Sequence, residues 1–242
     1  MAWGWFSRTV ATPEARASPP RGSSVDGLRA TLDNGTPIEI VRADGDQAIV
    51  IAPDIFSLRP LYDDMVADLA ERWGVTVVAV EPFPGVDLGP DIEPRFAEVA
   101  RLDDARVMGD LVAAADLAGV PDVGLMGFCL GGMHCFKAVS SGRFDRIASF
   151  YGMIHLPDAW HGPGQSDPLS HVGAAPSSLL AIIGERDTYT PPDAVAELSA
   201  TGAEVVIYPE AEHGFAHDAS RPAHRADDAA DAFERARRHL LG

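Results

Sequence analysis

The stretch Val123–Gly132, with the sequence VGLMGFCLGG, decides how the rest of this 242-residue chain is organised. An apolar run ends there in a Gly-x-Cys-x-Gly turn centred on Cys129, and a segment with apolar residues at helical spacing follows. This pattern predicts a strand, a sharp turn and a helix, with the Cys129 side chain pushed out above the strand ends. The start of the helix turns free N–H groups and a positive dipole end toward the sulfur, which favours negative charge there. We interpret Cys129 as a nucleophile; the alternative is a free cysteine packed as a small apolar residue.

Composition limits the classes of protein to which the chain can belong. Its formal net charge is −17, its sequence pI is about 4.7 and 46% of its residues are hydrophobic. A chain this acidic is a poor candidate for binding nucleic acid or an anionic membrane surface, and we expect neither partner. Its length allows one α/β domain with a full core, or at most two small ones. No stretch approaches the ~18 apolar residues that a transmembrane helix needs.

Cysteine usage and the first residues indicate the setting and the domain boundary. Cys129 and Cys135 are too few for a disulfide framework, so we expect a reduced, cytoplasmic environment. Residues 1–26 contain aromatic residues and a Pro- and Ser-containing stretch but no signal-peptide core. We interpret residues 1–26 as a flexible N-terminal arm, with docking of its aromatic residues as the alternative. Residues 27–242 are then a single domain.

Strand and helix patterns alternate along that domain. An Asn-Gly hairpin signal stands near its start, where two short alternating runs flank the dipeptide. Apolar runs typical of buried strands follow at 47–52, 75–80, 123–128, 146–151, 179–183 and 204–208. Helical patterns lie between or after them at 60–73, 103–118, 131–141, 190–200 and 221–241. The alternation predicts an α/β fold, a mostly parallel twisted sheet with helices on both faces.

Two further strand ends carry the groups that a nucleophile needs. Asp187 follows the run at 179–183, and His213 follows the run at 204–208. The carboxyl ends of parallel strands meet at one edge of a sheet, so both side chains should lie near Cys129. The chain order of nucleophile, acid and histidine is that of the α/β-hydrolase fold, which predicts a Cys-His-Asp triad. Glu185 is a rival for the role of the acid, and His213 could instead be a solvated turn histidine.

At this point the chain resembles the dienelactone hydrolase family. The resemblance rests on Gly127–Gly132, Gly184–Asp187 and Glu212–Phe215, and it extends to Ile51–Phe56 and Gly109–Leu111. It covers about residues 27 to 241. It implies an α/β-hydrolase that cleaves lactones or esters without a metal or an organic cofactor.

The resemblance also implies roles for individual residues. Cys129, His213 and Asp187 match the family's triad, and the backbone N–H groups of Leu130 and Ile55 match its oxyanion hole. Asp54 stands where family members carry a Glu beside the resting nucleophile. We therefore expect Asp54 to modulate the thiol, because a carboxylate near the sulfur disfavours the thiolate.

Substrate recognition is the second departure from the family pattern. His217 stands where the family keeps an Arg that holds a substrate carboxylate, so we expect a weaker preference for carboxylate-bearing lactones. Arg59, Arg95 and Arg101 are candidate substitutes, since a guanidinium binds a carboxylate bidentately, although each alone is more often a solvated surface residue. Trp160 and His217 complete the candidate substrate contacts. The expected partner is a small-molecule lactone or ester, and the expected state is a monomer or weak homodimer.

The sequence favours one function and leaves three others open. The favoured function is a Cys-dependent hydrolase of lactones or activated carboxylic esters that forms an acyl-thioester. A thioesterase or general carboxylesterase is the first alternative, and a substrate panel separates it. A catalytically silent binding or sensor protein is the second, which an acyl group trapped on Cys129 would exclude. A redox thiol protein is the third, although Cys135 is expected to point elsewhere and no other resolving partner is evident.

Overall fold

The computed structural model describes residues 28–242, which form an eight-stranded sheet with helices on both faces. The arm predicted at residues 1–26 lies outside the described residues, and its flexibility and the domain boundary stay predictions. No helix within the described range is both long enough and apolar enough to cross a membrane.

The sheet combines an antiparallel edge with a parallel body. β1 (Leu28–Thr31) and β2 (Pro37–Val41) form the predicted hairpin, and β2 pairs antiparallel with β4 (Thr76–Val80). The other strands run parallel: β3 (Gln47–Ala52), β5 (Asp122–Phe128), β6 (Ile147–Phe150), β7 (Leu179–Gly184) and β8 (Glu204–Tyr208). The order β1-β2-β4-β3-β5-β6-β7-β8 places β3 beside β5. The prediction of a mostly parallel sheet is confirmed.

Helices cover both faces of this sheet. Their bounds are α1 (Pro60–Trp73), α2 (Ile92–Val99), α3 (Asp104–Ala118), α4 (Leu130–Ala138), α5 (Leu169–Val172), α6 (Pro192–Ala200) and α7 (Ala226–Leu241). Apolar residues of α1 and α7 pack on one face, and those of α3, α4 and α6 pack on the other. On β5, Leu125 belongs to one apolar cluster and Phe128 to the other. The strand before Cys129 is therefore buried on both faces, as a central parallel strand is.

Among the helices of eight residues or more, α2 and α7 depart most from the sequence prediction. α2 begins inside the Pro- and Gly-rich stretch Pro82–Pro94, which predicts a connection; Pro94 is tolerated because it lies in the first turn of α2. α7 begins at Ala226 instead of residue 221 because turns occupy the preceding residues. In those turns the Arg221 N–H donates to the Asp218 carbonyl at 3.2 Å and the His224 N–H donates to the Arg221 carbonyl at 3.0 Å. Arg221 is thereby separated from the helix to which the sequence pattern assigns it.

Candidate active site

Cys129 lies at a strained turn between β5 and α4. Its φ is 54° and its ψ is −111°, in a region that residues other than glycine rarely adopt. The flanking glycines are required by close backbone approach: a Cβ at Gly127 would lie 2.3 Å from the Gly131 carbonyl oxygen, and one at Gly131 would lie 1.9 Å from that of Ala52. The Cys129 N–H donates to the Phe150 carbonyl at 3.0 Å, which ties the turn to the end of β6. The turn leaves the thiol partly exposed.

His213 and Asp187 lie after neighbouring strands and form a hydrogen-bonded pair. His213 Nδ1 is 2.8 Å from Asp187 Oδ2. The Asp187 side chain is fully buried, and its Oδ1 accepts from the Tyr189 N–H at 2.8 Å. Glu185, the rival acid, is exposed and accepts from the Glu210 N–H at 3.0 Å instead. The structure thus places Asp187, and not Glu185, on the imidazole.

The charge state of His213 is set by its two neighbours. Burial opposes protonation, but the charge of Cys129 and the hydrogen bonds to Asp187 and Cys129 raise the pKa of His213 to about 10. An imidazolium beside the sulfur stabilises a thiolate. Cys135 has the opposite environment, since it is buried in α4, its Sγ lies 3.7 Å from the Ala148 carbonyl oxygen, and burial raises its thiol pKa. Of the two cysteines, the structure presents Cys129 to a base.

A cavity of about 270 Å³ adjoins Cys129 and is mostly apolar. A concave site with a few polar groups is typical of small-molecule binding. The lining residues are Asp54, Ile55, Phe56, Ile92, Phe96, Cys129, Met153, Trp160, Tyr189, His213 and Arg221. The cavity therefore brings the predicted nucleophile and base together with the predicted contact Trp160.

The two predicted oxyanion donors follow two neighbouring strands of the sheet, β5 and β3. Leu130 is the first residue of α4, directly after Cys129, and Ile55 lies in the loop after β3, the neighbour of β5. Within residues 28–242, neither backbone N–H donates a hydrogen bond to another group. Buried N–H groups are rarely left unpaired. Both are therefore free to donate to a further acceptor, and their role as the oxyanion hole stays a prediction.

Asp54 lines the same cavity, but its carboxylate is held by other groups. Oδ1 accepts from Arg59 Nη1 at 2.6 Å and from the Phe56 N–H at 3.0 Å. Oδ2 accepts from Arg59 Nη2 at 2.9 Å and from His217 Nε2 at 2.8 Å. Burial opposes ionisation, but the hydrogen bonds from His217 and Arg59 hold the pKa of Asp54 well below its usual range. The modulation of the thiol by Asp54 stays a prediction. It depends on the negative charge of the Asp54 carboxylate, which the Arg59 guanidinium balances.

The structure brings only some of the predicted substrate contacts to the cavity. Arg59 and Arg95 line an adjoining open cleft of about 610 Å³. The Arg101 side chain is 73% exposed, pairs with Glu98 and lines neither the cavity nor the cleft. The His217 side chain is 0% exposed and also lines neither. Arg101 and His217 are therefore not placed to contact a substrate at Cys129.

Arg221 is the candidate residue that sequence reasoning missed. It lines both the cavity and the cleft, it is partly buried, and it forms no ion pair with any residue in 28–242. Gly214, with φ of 77°, makes room for it, since a Cβ there would lie 2.6 Å from Arg221 Nη1. The only sequence signal is its position shortly after His213, and the helical pattern at 221–241 hides that signal.

Comparisons with known proteins agree with this fold. The model of the dienelactone hydrolase family matches residues 40–240. The carboxymethylenebutenolidase of Pseudomonas putida is 30% identical over 190 residues, which are 71% of this chain and 76% of that protein. The crystal structure of a candidate dienelactone hydrolase from Klebsiella pneumoniae aligns with a TM-score of 0.75 at 25% identity, over 86% of this chain and 93% of that chain. An alpha/beta hydrolase from Penicillium sp. sh18 aligns with a TM-score of 0.64 at 12% identity, over 89% of this chain and 98% of that chain. The predicted α/β-hydrolase fold is confirmed.

Proposed function

The chain belongs to the dienelactone hydrolase family and is a carboxylic ester hydrolase, and from that premise we propose that it cleaves lactones or activated esters through an acyl-thioester on Cys129. One observation carries the proposal. Cys129 shares a cavity of about 270 Å³ with His213. His213 is in turn held by Asp187 at 2.8 Å. A nucleophile, a base and a group that orients the base are the components of covalent acyl transfer.

Acylation begins when the Cys129 thiolate attacks the carbonyl carbon of the substrate. The carbonyl oxygen becomes an oxyanion, and the N–H groups of Leu130 and Ile55 donate to it, an interaction worth about 3 kcal/mol per donor. The carbon–oxygen bond of the ester then breaks, and the His213 imidazolium gives its proton to the departing oxygen. An acyl-thioester on Cys129 and a neutral His213 remain.

Deacylation reverses the proton transfer. Neutral His213 accepts a proton from water while the water oxygen attacks the thioester carbonyl, and the same N–H groups stabilise the second oxyanion. Collapse of this intermediate expels the Cys129 thiolate, releases the acid and leaves His213 protonated. A thiolate is also readily expelled from the first intermediate, so the alcohol must be a good leaving group. Enol lactones and activated esters are therefore preferred to amides.

We further propose that the substrate carries an anionic group that binds Arg221. Arg95, which lines the adjoining cleft with Arg221, is only 8% exposed. Its guanidinium donates only to neutral acceptors: the Ile55 carbonyl at 3.0 Å, the Ser57 hydroxyl at 3.1 Å and the Gly89 carbonyl at 2.6 Å. Arg95 and Arg221 are thus two guanidinium groups on one cleft, and neither has a carboxylate partner in residues 28–242. Such an arrangement favours the binding of an anion from outside. Arg221 thus offers the guanidinium that position 217 lacks.

The catalytic proposal is tested by comparing Cys129→Ala with Cys135→Ala on an activated aryl ester and an enol lactone. Cys129→Ala should lower kcat by about 10⁴-fold or more, as loss of a nucleophile does in enzymes of this kind. Cys135→Ala should change kcat by less than about twofold, because Cys135 does not line the cavity. Turnover retained by Cys129→Ala would overturn the assignment.

The anion proposal is tested by the ratio of kcat/KM for a carboxylate-bearing lactone to that for its methyl ester. Arg221→Gln should lower this ratio by about tenfold to a hundredfold, the size of a lost charge-assisted hydrogen bond. Arg101→Gln is the matched control, because its side chain is 73% exposed and remote from the cavity. A ratio that Arg221→Gln leaves unchanged would remove Arg221 from substrate recognition.

A further inference from the structure

A second aspartate–histidine pair is buried next to the active site. His217 Nε2 is 2.8 Å from Asp54 Oδ2, and His217 Nδ1 is 2.6 Å from the Tyr151 hydroxyl. The ring of His217 stacks on Phe128, the residue before Cys129, with 4.9 Å between ring centroids. The side chains of His217 and Asp54 are 0% and 2% exposed. His217 therefore acts on neither substrate nor solvent directly.

The protons in this group have one consistent arrangement. Burial lowers the pKa of His217 and raises that of Tyr151, so the ring is neutral and the hydroxyl keeps its proton. Asp54 is ionised and can only accept. The Tyr151 O–H therefore donates to Nδ1 of His217, and the Nε2–H of His217 donates to Asp54.

The hydrogen bonds of this group join three segments that carry active-site residues. Asp54 lies in the loop after β3 and precedes the oxyanion donor Ile55. Tyr151 directly follows β6. His217 follows His213 in the same loop, and its backbone N–H donates to the Tyr151 hydroxyl at 3.2 Å. The segment of the oxyanion donor is thus connected to the segment of the catalytic base.

The backbone groups next to the Ile55 N–H are hydrogen-bonded, whereas the Ile55 N–H itself is not. The Asp54 N–H donates to the Tyr62 hydroxyl at 2.7 Å, and the Phe56 N–H donates to Asp54 Oδ1 at 3.0 Å. The Ile55 carbonyl accepts from Arg95 at 3.0 Å. The Asp54 carbonyl, which shares a peptide plane with the Ile55 N–H, accepts from the Ser57 N–H at 3.2 Å. Because the Asp54 carboxylate holds the Phe56 N–H inside the same turn, whatever fixes that carboxylate also helps to fix the direction of the Ile55 N–H.

We propose that His217 is a positioning residue that holds the Asp54 carboxylate and thereby aims the Ile55 N–H at the oxyanion. The proposal rests on the proposed function, because it concerns the oxyanion of that reaction. Preorganised donors are effective only when their direction is set before the charge develops. Loss of the His217 bond leaves Arg59 on Asp54, so the carboxylate stays ionised while it loses one of its two side-chain partners.

Two rates measured on the same protein separate positioning from general damage. Ester hydrolysis passes through an oxyanion and needs the Ile55 donor. Alkylation of Cys129 by iodoacetamide forms a sulfur–carbon bond and releases iodide without any oxyanion, so it depends on the thiolate and His213 alone. The variants are His217→Leu, which removes both ring bonds, and His217→Gln, whose amide N–H can still donate to Asp54.

We expect His217→Leu to lower kcat/KM for hydrolysis by about tenfold to a hundredfold, part of the effect of losing an oxyanion donor. Its alkylation rate should stay within about twofold of wild type, and His217→Gln should recover most of the hydrolysis. His134→Leu is the matched control: His134 is 2% exposed, and neither ring nitrogen has a partner in the described part of the chain. This control should leave both rates unchanged.

Three results would overturn the proposal. Hydrolysis and alkylation that fall together in His217→Leu would show displacement of Cys129 or His213, and unchanged hydrolysis would show that Arg59 alone holds the loop. Equal hydrolysis in the Gln and Leu variants would exclude the bond to Asp54. If His217→Leu does not fold, Tyr151→Phe provides the same comparison, with a smaller loss of hydrolysis and unchanged alkylation expected. A wild-type protein without Cys129-dependent turnover would instead refute the proposed function itself.

Discussion

Two aspartate–histidine pairs lie at the same edge of the sheet with nearly the same geometry and different environments. Asp187–His213 and Asp54–His217 each have a nitrogen–oxygen distance of 2.8 Å. Their ring atoms are exchanged, however. Asp187 binds Nδ1 and leaves Nε2 toward Cys129, whereas Asp54 binds Nε2 and leaves Nδ1 to the Tyr151 hydroxyl. Both histidines belong to one loop.

The third partner separates the two pairs. Beside Cys129 the pKa of His213 rises to about 10, because the charge of Cys129 and the hydrogen bonds to Asp187 and Cys129 together outweigh the effect of burial. Beside a neutral hydroxyl, burial lowers the pKa of His217. In the proposed mechanism only the first pair exchanges a proton with a reacting atom. A hydrogen bond to an aspartate therefore does not identify a catalytic histidine. The group that faces the second ring nitrogen of the histidine does.

The largest expected effect concerns the acid of the first pair. Asp187→Asn should lower kcat by about 10³- to 10⁴-fold, because an amide leaves the imidazole in the wrong tautomer and stabilises the imidazolium poorly. Glu185→Gln is the matched control and should have little effect, since Glu185 is exposed and bonds the Glu210 N–H. Steady-state kinetics on the two purified variants test this. The reverse ranking would make Glu185 the acid.

The two histidines should also give opposite dependences of stability on pH. The pKa of His213 in the folded protein is raised to about 10. Its contribution to the free energy of unfolding is therefore complete below the unfolded pKa of about 6.5 and is lost as pH rises toward 10. The folded pKa of His217 is lowered, so its contribution is present above about pH 6.5 and is lost as pH falls below it. For each histidine, the free energy of unfolding changes by at most about 1.4 kcal/mol per pH unit.

Urea unfolding from pH 4.5 to 10 measures these slopes. Relative to wild type, His217→Gln should flatten the acid side of the profile and His213→Gln should flatten the alkaline side. If both variants changed the same side, the two histidines would share one charge state, and the contrast between the pairs would be wrong.

How much of this could be read from the sequence depends on the distance over which each signal acts. Cys129 directly follows an apolar strand run, and Asp187 and His213 lie in the loops after two others, so local patterns point to them. The bond between His217 and Asp54 joins residues 163 positions apart, and no local pattern encodes it. His217 was expected at the substrate because it stands where the family keeps a substrate-binding Arg, and the structure buries it instead.

Arg221 and α2 show a different reason for failure. The turns at 218–225 stand before an amphipathic helix and resemble its first turn in composition, so Arg221 is read as helical surface. Pro94 similarly suggests a connection, although proline is accepted in the first turn of a helix. In both segments the local turn geometry and the position of the proline, and not the average propensity of the stretch, decide where the helix begins.

The smallest expected effect concerns the influence of the second pair on the thiol. Asp54→Ala should speed alkylation of Cys129 by iodoacetamide at neutral pH, because a nearby carboxylate disfavours the thiolate. The change should be modest, about two- to threefold, since Arg59 already balances the charge of Asp54. Alkylation rates measured against pH provide the test. A curve that overlays that of wild type would show that Asp54 does not act on the sulfur.

The central claim is that hydrolysis passes through an acyl-thioester on Cys129. Intact-protein mass spectrometry of Cys135→Ala, which retains a single thiol, tests it directly after acid quench of the reaction with a hindered, slowly deacylating activated ester. We predict a mass increase equal to the acyl group, located on Cys129 by fragmentation and absent when Cys129 is also replaced by Ala. Release of the alcohol with no adduct at any time, or an adduct on another residue, would contradict the account.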